Sequence, residues 1–185
     1  MQDRKRKARA TIMAAGGVVL RSSREPLIAV VQLRKYRHWV LPKGKINQNE
    51  SPLAAARREV LEEVGHKAYV HAFLGAIAYD VGDRVKVVQF WAMRAVGGST
   101  RRLMADVKAV EWLPLAEAIE RLTRSREQAF LRSVGPTAIK AIQRAARQDR
   151  MPAQATRHTR NTHGFRTRVS GPRAQAIRAR TARAR

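Results

Sequence analysis

The apolar positions form runs of two kinds. "TIMAAGGVVL" (11–20) and "PLIAVVQLR" (26–34) are β-rich stretches separated by the polar "RSSRE", which predicts two strands joined by a hairpin or near-hairpin. A shorter run, "HWVLP", leads into Lys43 and Gly44, and the glycine there predicts a loop with exposed backbone groups. Further on, "AYVHAFLGAIAYDV" and "RVKVVQFWAMRAV" bracket a "GDR" turn, and "VKAVEWLPL" reads as a last strand. Helical spacing appears in three places: Pro52–Val64, "AEAIERL", and "QAFLRSVGPTAIKAIQRAAR", the last with a candidate break at Gly135 and Pro136. Strands, one helix, more strands and then helices predict an α+β domain, a mixed sheet with helices packed on it.

The helix over 52–64 has clear end signals. Ser51 and Pro52 suit the N-cap and first helical positions, and Gly65 suits the C-terminal stop. At 100° per residue Leu53, Ala56, Val60 and Val64 form a narrow apolar stripe. Glu59, Glu62 and Glu63 cover the adjacent arc, with the small Ala55 beneath them. The i,i+4 and i,i+3 carboxylate pairs each cost an isolated helix about 0.2 to 0.5 kcal/mol, and the macrodipole disfavours negative charge at this end. A hard divalent cation would reverse both penalties. Taken alone, "REVLEEVG" is equally compatible with a solvated helix in which Arg58 pairs with Glu62; the glycine loop immediately upstream favours the metal.

Composition narrows the partners. The chain has 185 residues, enough for one sizeable core with extensions, and it has no cysteine, which excludes disulfides, thiolate metal sites and a cysteine nucleophile. Its 38 Lys and Arg against 14 Asp and Glu give a formal charge of +24, which favours polyanionic partners. No apolar run is long enough for a membrane span. The basic "RKRKAR" before the first apolar run imitates a secretory leader, but two glycines interrupt that run and no small-residue cleavage site follows, so a strand and a cytoplasmic location are expected. The boundaries this implies are a basic arm at 1–10, a folded domain at 11–146 and an arginine-rich tail at 147–185. The tail holds eleven arginines, one aspartate and few large apolar side chains; disorder is expected, with nucleic acid phosphates a candidate non-specific partner.

The segment from Gly44 to Gly65 resembles the box of the Nudix hydrolase family, G-x5-E-x7-R-E-U-x-E-E-x-G-U with U a bulky aliphatic. Gly44, Glu50, Arg58, Glu59, Val60, Glu62, Glu63 and Gly65 match in residue type and spacing, and His66 stands where the pattern asks for an aliphatic. "AAGGVV", "WVLPKGK" and "VEWLPL" extend the similarity. The resemblance implies a Nudix-like mixed sheet sandwiched by helices, with Mg²⁺ or alternatively Mn²⁺ held by Glu59, Glu62 and Glu63 and the Gly44 carbonyl as a further ligand. Glu50 and Arg58 would hold the loop and helix together. Glu111 matches a later metal-binding glutamate of some members, or is a strand-edge surface residue. Either Glu59 or Glu62 would take the proton from the attacking water. Lys43 and Lys45 are candidates for holding substrate phosphates. The implied activity is hydrolysis of a phosphoanhydride in a small substrate, first a nucleotide polyphosphate such as a dinucleoside polyphosphate or an oxidised nucleoside triphosphate. The alternatives are a diphosphoinositol polyphosphate hydrolase and a non-catalytic nucleic-acid-binding module on the same fold.

Overall fold

The computed structural model describes residues 9–21 and 25–150. Among the described residues, seven strands and three helices follow in the order β1 (Thr11–Arg21), β2 (Leu27–Leu33), β3 (Trp39–Val40), β4 (Lys43–Lys45), α1 (Pro52–Val64), β5 (Lys67–Val81), β6 (Arg84–Val96), β7 (Val107–Leu113), α2 (Leu115–Arg121) and α3 (Ser125–Arg150). The strands form one mixed sheet, β3-β2-β1-β6-β5, with β4 added to β1 and β7 to β2. β1 runs parallel to β6 over ten residue pairs, and β5 and β6 form the long hairpin that the sequence pattern predicts.

Alternation along the strands builds two apolar layers. Ala14, Val18 and Leu20 of β1 join Ile28, Val30, Val88 and Phe90 beneath α2 and α3. Ala15 and Val19 join Ala29, Val31 and Met93 on the opposite face, against Ala56, Val60 and Val64 of α1. The domain is therefore helix, sheet, helices, as expected. Gly17 lets α1 settle onto the sheet, since a Cβ there would lie 2.9 Å from Met93 Sδ and 3.1 Å from Val60 Cγ2.

Two local expectations need correction. Lys43–Lys45 is a strand, with Gly44 opposite Ala15 in an antiparallel register. β1 pairs with β2 only at Leu20 and Arg21, which leaves its Ala14–Gly16 edge open for β4. α3 also continues through Gly135 and Pro136 without a break. Pro136 is exposed, so water can serve the carbonyl that its missing N–H leaves free, while Gly135 is buried and a Cβ on it would press into Leu115 of α2. The helix reaches Arg150, past the boundary expected at 146; the rest of the tail lies outside the described residues. No helix among the described residues is long and apolar enough to cross a membrane.

Candidate active site

α1 begins and ends as its sequence predicts. Ser51 Oγ accepts from the Ala54 N–H at 3.2 Å, Pro52 occupies the first turn, and Gly65 closes the helix at φ 77°. The loop from Ser99 to Asp106 then covers the helix end, with the Thr100 N–H donating to the Gly65 carbonyl at 2.8 Å and the Met104 N–H to that of Glu62 at 3.2 Å. His66, the departure from the box, is buried. Its ring meets Trp112 edge-on at 5.5 Å, and its Nε2 lies 3.2 Å from the Arg21 guanidinium, which itself sits over Trp112. Burial, and then the Arg21 charge, hold its pKa below the usual value, so an aromatic clasp replaces the aliphatic contact.

Arg58 organises the acidic arc. Its Nε and Nη2 grip both oxygens of Glu50 at 2.9 Å, Nη1 donates to Glu59 at 2.6 Å and to Glu62 at 3.2 Å, and Nη2 also reaches the Lys45 carbonyl at 3.0 Å. A guanidinium fork matches this set as an ammonium cannot. The Glu50 carboxyl is held down to about 2, first by its hydrogen bond to Arg58 and then by the Asn47 N–H. Glu50 and Arg58 therefore tie the 46–50 loop to the helix.

Glu59 and Glu63 are both buried beneath this lock. Desolvation raises the Glu59 carboxyl against the opposing pull of Arg58. Glu63 accepts from the Lys43 N–H at 2.8 Å, yet burial pushes its carboxyl up to about 8, with Glu59 and Asp106 adding to the rise. Gly44 lies directly against Glu59, whose carboxylate any Cβ on that residue would overlap. Backbone and carboxylate can approach each other only because this residue has no side chain.

Among the described residues no three acidic or histidine side chains form a finished metal cage, because Arg58 holds Glu59 and Glu62 on one side and the Lys43 amide holds Glu63 on the other. The donor set nevertheless fits a hard cation. Two crowded carboxylates are buried with their pKa values raised, a third stands beside them, and the backbone edge at Gly44 faces them without a side chain between.

The remaining candidates are placed differently. Glu111 is opposite Val30, on the α2 side of the sheet, where it pairs with Arg121 at 3.1 Å; the structure does not bring it to the helix carboxylates. Its even-numbered neighbours Val110 and Trp112 are the β7 residues that face α1. The acid that does reach the site from this region is Asp106, in the loop before β7, through its charge on Glu63. No spacing rule singles it out, because an irregular loop carries it there. Lys45 is exposed beside the loop, whereas the Lys43 ammonium turns to the α3 side, 3.0 Å from the Leu41 carbonyl and 3.3 Å from Glu127. Lys86 lies in the same region, its pKa lowered first by burial and then by Lys43 and Lys45.

Fold and site together define an α+β protein that presents a buried acidic helix to a glycine-bearing strand edge. The chain belongs to the Nudix family: a NUDIX domain model matches residues 11–133. It is 33% identical over 141 residues to an 8-oxo-(d)GTP phosphatase of Mycolicibacterium smegmatis, covering 71% of this chain and 44% of that one. It is 32% identical over 88 residues to the asymmetrical bis(5'-nucleosyl)-tetraphosphatase of Sus scrofa, covering 45% of this chain and 60% of that one. The chain thus spans 44% to 60% of the length of these curated relatives. Among solved structures, a binary complex of the C. elegans Ap4A hydrolase superposes with a TM-score of 0.58 at 22% identity, covering 72% of this chain and 98% of that one. A MutT protein from Methanosarcina mazei superposes with a TM-score of 0.58 at 16% identity, covering 77% and 98%.

Proposed function

We propose that the protein is a Mg²⁺-dependent hydrolase that cleaves a phosphoanhydride bond in a nucleotide polyphosphate. The observation that carries this reading is the buried pair Glu59 and Glu63 beside the bare backbone of Gly44. Two buried carboxylates held at raised pKa destabilise the fold unless a cation uses them. The relatives' names supply the substrate class, an oxidised guanine nucleotide or a dinucleoside tetraphosphate.

Glu59, Glu62 and Glu63 would hold the ion, with the Gly44 carbonyl at the strand edge. A divalent cation there supplies neutralisation of phosphate charge and a more acidic water. The chain's own residues do the rest. Arg58, tied to Glu50, keeps Glu59 and Glu62 from swinging to solvent. Glu59 or Glu62 takes the proton of the attacking water, and the exposed Lys45 supplies a cation for the phosphate chain, whereas the Lys43 ammonium is engaged by Glu127.

The test is release of phosphate or nucleotide by the full-length protein from 8-oxo-dGTP, Ap4A, ADP-ribose, capped RNA and a diphosphoinositol polyphosphate, with Mg²⁺ and with EDTA. Mg²⁺-dependent turnover of the first two is expected. Preference for the inositol substrate would reassign the substrate class, and no turnover of any would favour a nucleic-acid-binding role for the fold.

A further inference from the structure

Glu127 is the most deeply buried charged residue described, at 0% exposure. It stands in the first turn of α3 on the same helical stripe as Leu131, Ala138 and Ile142, where an apolar side chain would satisfy packing alone. A buried carboxylate in such a position is costly unless fully used. Its Oε2 accepts from the Leu41 N–H at 2.8 Å, and its Oε1 lies 3.3 Å from the Lys43 ammonium.

Only the last residue of the segment it holds, Lys43, belongs to a strand ladder. Leu41 and Pro42 fall between β3 and β4, and Pro42 has no N–H to donate. Three anchors fix it: Leu41 N–H on Glu127, the Pro42 carbonyl accepting from the Gly17 N–H at 3.1 Å, and Lys43 N–H on Glu63 at 2.8 Å. Two glutamates, from helices on opposite faces of the sheet, thus grip one tripeptide, and the residue after it is Gly44. The neighbouring contacts reinforce this: Trp39 N–H donates to Thr123 Oγ1 at 2.9 Å, and Thr123 N–H returns to the Trp39 carbonyl at 3.0 Å.

We propose that Glu127 is a positioning residue for the hydrolytic site, holding Leu41–Lys43 from the α3 side so that the Lys43 amide and the Gly44 edge stay in register with Glu63 and Glu59 of α1. Its effect on turnover rests on the hydrolase reading; its effect on the segment does not.

The test compares full-length Glu127→Ala and Glu127→Gln by backbone hydrogen exchange without metal and by steady-state kinetics with Mg²⁺. Glu127→Ala should speed exchange of the Lys43 amide about tenfold although its acceptor Glu63 is intact, and should lower kcat about tenfold or more with KM within about threefold. Glu127→Gln, which keeps an acceptor for Leu41, should recover most of both. If Glu127→Ala does not fold, Glu127→Asp, which withdraws the acceptor by one methylene, should show the same two changes. Normal Lys43 protection and normal kcat in a folded Ala or Asp variant would overturn the proposal and leave Glu127 a fold residue only. If the wild type turns over none of the substrates, the hydrolase reading fails, and the coupling of Glu127 to the Lys43 amide alone decides the positioning role.

Discussion

Glu63 carries its chemistry in its protonation. Its folded pKa of about 8 stands above the ordinary 4.5, chiefly because burial penalises the charge. Without metal, the native state therefore binds a proton that the unfolded chain has released between those two values. This contribution to stability is fully present below about 4.5 and is lost as pH rises through about 8, with a limiting slope of about 1.4 kcal/mol per pH unit. Thermal unfolding in EDTA should show the wild type losing stability relative to Glu63→Gln from pH 5 to pH 8, and added Mg²⁺ should reverse the order at pH 8; parallel curves would remove the buried-carboxylate account. Gly44→Val should reduce turnover at least about tenfold, because the new side chain must displace Glu59, and the same variant should weaken Mn²⁺ binding measured without substrate. Gly44 and the three helix glutamates are legible in the sequence because each occupies a fixed spacing. Asp106 is not, since a loop carries it, whereas Glu127 left a trace: a carboxylate on an otherwise apolar helical stripe.

At the scale of elements, α1 is the part most readable in advance, its bounds set by Ser51, Pro52 and Gly65. Ser51→Ala should cost about 1 kcal/mol through the lost bond to the Ala54 N–H and lower Tm by several degrees with little effect on kcat. Arg58→Lys should behave oppositely. An ammonium cannot hold both oxygens of Glu50 while also reaching Glu59, so kcat should fall about tenfold or more with a smaller change in Tm, and equal kcat would show that the fork is dispensable. β4 could not be read from the chain. "KGK" is three residues without alternation, and it becomes a strand only because β1 turns away from β2 and leaves an edge beside Ala14–Gly16. The intact α3 was hidden for a related reason: a proline breaks a helix according to which carbonyl it strands and whether water can reach it, and burial decides that.

On the scale of the molecule, charge divides along the sequence. The carboxylates of α1 and the strand edge at Gly44 lie within the matched domain, residues 11–133, whereas eleven arginines lie from Arg147 onward with a single aspartate among them. α3, the last described element, ends at Arg150, so a chain stopped at Pro152 keeps every contact described for the site. Hydrolysis of a small nucleotide by that shortened protein should stay within about twofold of the full chain, since no described site residue is lost. Its binding to RNA or DNA should change far more: a polycation associates mainly by displacing phosphate counterions, and each phosphate neutralised adds about 0.9 to the slope of log affinity against log salt on duplex DNA. Mobility shifts of both proteins on one duplex, between low and near-physiological salt, should show steep salt dependence for the full chain and a shallow, weak interaction for the shortened one. Equal affinity and equal slope would place the nucleic-acid surface on the folded part and assign the terminal arginines no share in it.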